Sequence, residues 1–182
     1  MSENSPIKDA LYAEIDKIEQ EQVHALLLEG KFSELFEKIY ESSIINIEGI
    51  DEYEKHGMLA ESFTHYLFTE MLIPSQRKIL FENTELDIII PNTTELKKNI
   101  NNVLLIHFVK SSKIDQVQQK IQKMKKIQKS DANIWIISRD DISISQVSYT
   151  TKKESFSRFL KDVQDFVKIK EMNKLNIFKT KL

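Results

Sequence analysis

The hydrophobic period of this chain first changes at Pro74. Before that residue, apolar side chains recur three and four positions apart, the spacing of a helix with one buried face. After it, stretches that alternate or run in short unbroken blocks, the patterns of half-buried and fully buried strands, are interleaved with two further stretches of helical spacing. A chain of 182 residues with 3 Gly and 3 Pro suits long helices and few open loops. The class expected is α/β (α+β): a mixed central sheet of four to five strands flanked by helices, with an N-terminal helical extension.

The elements follow from local signals. Ser5-Pro6 starts a helix that the periodicity carries to about Leu28, where Gly30 stops it. Ile7, Leu11, Ile15 and Ile18 form its buried stripe. A shorter helix covers Phe32 to Ser42. Asp51 and Glu54 have capping-box spacing and open a helix reaching about Leu72. Arg77 to Glu82 reads as a strand, Asn83-Thr84 as a turn, and Leu86 to Ile90 as a second strand. A polar loop spans Asn92 to Asn102. Val103 to Lys110 is apolar enough to be a central strand. Lys113 to Gln128 is a helix with Ile114, Val117, Ile121 and Met124 inward. Asn133 to Ser138 is a further strand, with Trp135 in the core. Ile142 to Tyr149 alternates and suits an edge. A capping box at Thr151 and Glu154 opens a last helix, whose buried face is Phe156, Phe159, Leu160, Val163, Phe166 and Val167. These elements divide into an acidic helical extension (1–50), an α/β core with its C-terminal helix (51–173) and a basic tail (174–182).

Composition excludes several classes. With no Cys, disulfides, thiolate metal sites and Cys nucleophiles are ruled out. No apolar run has the roughly 18 residues of a membrane span. Met1 to Asp9 lacks the order of a signal peptide, so cytoplasmic residence is expected. Glycine-rich phosphate loops and nucleophile elbows are missing. The net charge of -2 hides a division: residues 1–75 hold 16 acidic and 5 basic side chains, residues 76–182 hold 12 and 21. Such asymmetry suits an anionic partner for the second part. It equally suits neutralisation between the parts, within one fold or across a homodimer.

Three places carry a more specific signal. The second strand reads Glu85-Leu86-Asp87-Ile88-Ile89-Ile90. The third reads Leu105-Ile106-His107-Phe108-Val109-Lys110-Ser111-Ser112. The helix before them holds Glu61. In this order, helix, three strands, helix and strand, the chain resembles the core of the PD-(D/E)XK nuclease superfamily, which includes restriction endonucleases and archaeal Holliday junction resolvases. The resemblance covers about residues 51–138. It implies a restriction-endonuclease-like fold, with Glu61 and Asp87 as metal-binding acids, Lys110 as the catalytic Lys and Mg2+ as cofactor if the site is active. Phosphodiester cleavage needs a cation on carboxylate oxygens to polarise the phosphate and a Lys to stabilise developing charge. The chain departs from the pattern at position 108, where the family's second acid is replaced by Phe. Its neighbour His107 is expected on the opposite face of the sheet.

Plainer readings stand beside these. Asp87 can be a solvent-facing strand residue, Lys110 a snorkelling Lys, and Glu61 with His65 an ordinary helical pair. The lysines after the third strand, Lys113, Lys120, Lys123 and Lys126 among them, suit phosphate contacts or a solvated face. The function expected is binding of DNA or structured RNA on a nuclease-like fold with weakened or absent catalysis, and no membrane. The alternatives are an active endonuclease using Glu61 and Asp87, and a scaffold subunit that binds no nucleic acid.

Overall fold

The computed structural model describes residues 5–179, with side chains through Glu171. The protein is a mixed α/β structure. Five strands lie in the order β1-β2-β3-β4-β5: β1 Gln76–Phe81, β2 Thr84–Ile90, β3 Leu104–Phe108, β4 Ile134–Ser138 and β5 Val147–Thr150. The first three are antiparallel neighbours, and β3, β4 and β5 run parallel. The β1–β2 hairpin turns at Glu82 and Asn83, both at positive φ. The turn therefore comes one residue earlier than the sequence suggests, and Thr84 pairs with Phe81.

Each face of the sheet is covered. On one side Ile88, Ile90, Leu104, Ile106, Phe108, Trp135, Ile137 and Tyr149 pack against the helices α5 (Glu52–Glu70) and α8 (Lys153–Lys179). Four N-terminal helices join this same cluster: α1 Pro6–Ile15, α2 Gln20–Leu28, α3 Phe32–Leu35 and α4 Ser42–Ile44. Burying one large apolar side chain is worth about 1.5–3 kcal/mol, so this layer dominates the stability. On the other side Ile89, Val103, Leu105, Ile134 and Ile136 meet Val117, Ile121, Met124 and Ile127 of α7 (Ile114–Ile127).

Several expectations are corrected. The first helix is two: α1 ends at Ile15, and Glu19 adopts an extended conformation before α2. The break lets Ile7 and Leu11 of the first piece, and Val23, Leu26 and Leu27 of the second, all reach the core. From α3 the chain continues without interruption through a wide π-helical stretch, Phe36–Glu41, into α4. The loop after β2 contains a short helix, α6 (Thr93–Lys98), because the Asn92 side chain accepts from Glu95 N at 2.9 Å. Ile114 is exposed; Ile127 completes the buried face of α7. The last helix runs to Lys179, and the end of the basic tail, residues 180–182, lies outside the described residues.

Candidate functional site

Glycine in the middle of a helix costs about 1 kcal/mol against Ala, and Gly57 of α5 has a reason to be there. A Cβ at Gly57 would lie 2.3 Å from the Val109 carbonyl oxygen and 2.8 Å from Lys110 Cγ. Only a bare backbone lets α5 approach the end of β3 this closely. Glu61 stands one turn further along the same helix face. The approach brings Lys110 Nζ to 2.7 Å from Glu61 Oε2. From β1, Arg77 donates through Nε to Glu61 Oε1 at 2.6 Å and through Nη2 to Ser62 Oγ at 3.2 Å.

Asp87 enters from β2. The β2–β3 register pairs Ile88 with Ile106, and continuing it by one residue sets Asp87 opposite His107. His107 lies, as expected, on the face opposite Phe108, beside Val117 and Lys120; Asp87 shares that face, and His107 Nδ1 lies 2.6 Å from its Oδ2. The same carboxylate oxygen accepts from the backbone N–H of Phe108 at 2.9 Å, and Lys110 Nζ lies 3.6 Å from Oδ1. Glu61, Asp87 and Lys110 thus converge as the sequence suggests, with Arg77 and His107 added.

Electrostatics follow from burial and pairing. Glu61 is 1% exposed and Asp87 5%, so an unpaired charge at either would be costly. Burial pushes the Asp87 carboxyl up. The bond to His107, the charges of His107 and Lys110 and the Phe108 N–H outweigh it and hold the group well below the usual carboxylate range. Burial pushes Lys110 down, but Asp87 and Glu61 outweigh it and raise the ammonium above its ordinary value. Beside them, His65 is lowered by burial and by the Arg77 guanidinium.

A hard divalent cation needs carboxylate oxygens free to coordinate it. Here each oxygen of Glu61 and Asp87 already faces a cation or an N–H. No set of three or more His, Asp or Glu among the described residues is arranged around a metal position. The donor set as folded fits an ion-pair network better than Mg2+. Phe108 is fully buried in the cluster that contains Leu59, Ala60 and Phe63 of α5. It sets hydrocarbon where the resemblance implies a carboxylate.

The four lysines singled out from the sequence part company in space. Lys113 is exposed just before α7. Lys120 donates to the Glu85 carbonyl and lines a cleft with His107 and Lys110. Lys123 and Lys126, joined by Lys125, line a separate groove of about 960 Å3 between α7 and the segment leading into β5.

Arg77 and Gly57 have no role in the sequence reading, and His107 has no pairing with Asp87 there. For Arg77 and His107 the signal lies in strand register, which a single sequence does not fix. For Gly57 it was available, since a glycine inside a helical pattern marks a close backbone approach. No family model, curated protein or solved structure matches the chain.

Proposed function

We propose that this is a nucleic-acid-binding protein whose core is similar to that of PD-(D/E)XK nucleases and whose former metal position is sealed by its own cations, so that it holds DNA or structured RNA without cutting it. The observation that carries the binding is the groove beside α7. Lys123, Lys125 and Lys126 line it together with Gln118, Gln122 and Ser145, long cations and amides of the kind that meet phosphate oxygens and base edges. Lys113, Lys123 and Lys126 take part in no ion pair among the described residues, whereas Lys125 meets Asp131 at 3.1 Å. Among the described residues, neutralisation of the basic part by the acidic part is incomplete: the pairs that join the two there are Arg77 and Lys110 with Glu61, and Lys153 with Glu37. The likeness to the nuclease core is supported by the strand order and by the convergence of Glu61, Asp87 and Lys110.

Fluorescence anisotropy with a labelled duplex, across a range of salt, tests the binding. Affinity falls steeply as salt rises, because bound counterions are released. Lys123→Glu with Lys126→Glu weakens binding to all sequences alike and flattens the salt slope by about 1 per lysine removed. Tight binding that ignores these charges would remove α7 from the interface. No retention at low salt would favour the scaffold reading.

A further inference from the structure

Beside Arg77 lies a further depression, of about 280 Å3, walled by α1, α5 and β1. Its lining includes Lys8 and Tyr12 from α1, Ser62, His65 and Tyr66 from α5, and Arg77 from β1. The guanidinium of Arg77 has five N–H donors in a fixed fork. One is spent on Glu61 and one on Ser62; the other three have no acceptor among the described residues. The Arg77 side chain is only 19% exposed, so those donors are held in place rather than swept through solvent. Lys8 adds a second cation with no ion pair among the described residues. Tyr12 is 56% exposed, an uncommon state for a large aromatic ring, and Tyr66 is half-buried on the same rim, its hydroxyl pushed up to about 12 by burial and by Glu70. The Tyr66 phenol stays neutral near pH 7, and both rings offer flat faces to a planar group.

Two cations with spare donors beside two aromatic faces are the recognition set for a phosphate and a base joined through a sugar. The volume lies just under the roughly 300–1,000 Å3 usual for small-molecule pockets, which suits one nucleotide and is too small for a dinucleotide. We propose that this depression binds a nucleoside monophosphate unit, its phosphate on Arg77 and Lys8 and its base against Tyr12 or Tyr66. The unit can be a free mononucleotide or the 5′-terminal nucleotide of a strand. The site shares no residue with the α7 groove, so it stands or falls separately from the binding proposed there.

Calorimetric titration of the full chain with AMP, adenosine and inorganic phosphate tests it. AMP is expected to bind saturably and at least tenfold more tightly than either fragment. Lys8→Ala and Tyr12→Ala, both at exposed positions that leave the core intact, each weaken AMP by about fivefold or more, while Lys123→Glu leaves it unchanged. The His65 ring resonances shift on AMP addition in the wild type, as expected for a residue lining the site. A 5′-phosphorylated oligonucleotide that outcompetes AMP assigns the terminal nucleotide as the natural occupant; one that competes no better assigns the free mononucleotide. No AMP binding, or AMP binding indifferent to both Lys8→Ala and Tyr12→Ala, overturns the proposal.

Discussion

Asp87 shows how one side chain can serve packing and charge together. Its carboxylate accepts the Phe108 N–H and a bond from His107 while facing Lys110. Breaking a buried ion pair from one side costs about 3–5 kcal/mol; Lys110 is a third exposed, so Asp87→Asn should cost about 3 kcal/mol in urea unfolding. The pH dependence has a defined sign. An unfolded Asp titrates near 3.9, and the folded group lies below that. Its stabilisation is therefore fully present above about pH 4 and is lost as pH falls toward the folded value. For Lys110 the folded value is raised, so its contribution is complete below the unfolded value of about 10.4 and lost only as pH rises past it. Melts from pH 2 to 7 should lose the acid limb in Asp87→Asn. Phe108 gives a second test. Phe108→Glu buries a charge in an apolar cluster and should lower the melting midpoint, while adding a third acid near Glu61 and Asp87. A ligand that binds only the native state raises the midpoint, so Mn2+ should partly restore this variant and barely move the wild type. A large Mn2+ effect on the wild type that Asp87→Ala abolishes would reverse the assignment of the site.

At the level of elements, periodicity carried most of the fold. The capping role of Asp51 appears as bonds from Tyr53 N and Glu54 N at 3.0 and 3.3 Å, and the apolar β3 is central. What escaped was set by tertiary packing. The break between α1 and α2 leaves no Gly or Pro in the sequence to announce it; each of the two short helices sets its own apolar residues on the core. The α6 cap was visible in Asn92 but weak beside the polar run that follows. Gly57 joins element to site. Gly57→Ala pushes a methyl into the Val109 carbonyl, and overpacking of this kind typically costs about 1–3 kcal/mol. Backbone rather than a flexible side chain must yield, so the loss should reach the upper end, measured by urea unfolding. The α7 lysines should also separate in binding assays. Lys120 is tied to the Glu85 carbonyl, so Lys120→Glu should weaken nucleic-acid binding less than Lys126→Glu does, as read by anisotropy at one fixed salt.

The whole molecule is a sheet between two layers of unequal charge. The acidic N-terminal helices lie on the side of α5 and α8, and the lysine-rich α7 lies on the other. No helix among the described residues is long and apolar enough to cross a membrane. The charge division was legible in the sequence, but its arrangement was not, because only packing decides which lysines are spent on carbonyls and acids and which face outward. The convergence of Glu61, Asp87 and Lys110 was legible through the family resemblance alone; the closing of that cluster by Arg77 and His107 depended on strand register. The proposed function has two halves, binding through the α7 layer and no cutting at the ion-pair cluster at the end of β3: nucleic acid would be held and left whole. A single gel with an end-labelled duplex in low salt, with and without Mg2+, reads both halves. The expected result is a retarded, full-length band in both lanes that is lost as salt is raised. Shortened products that appear only with Mg2+ and vanish in Asp87→Ala would contradict it.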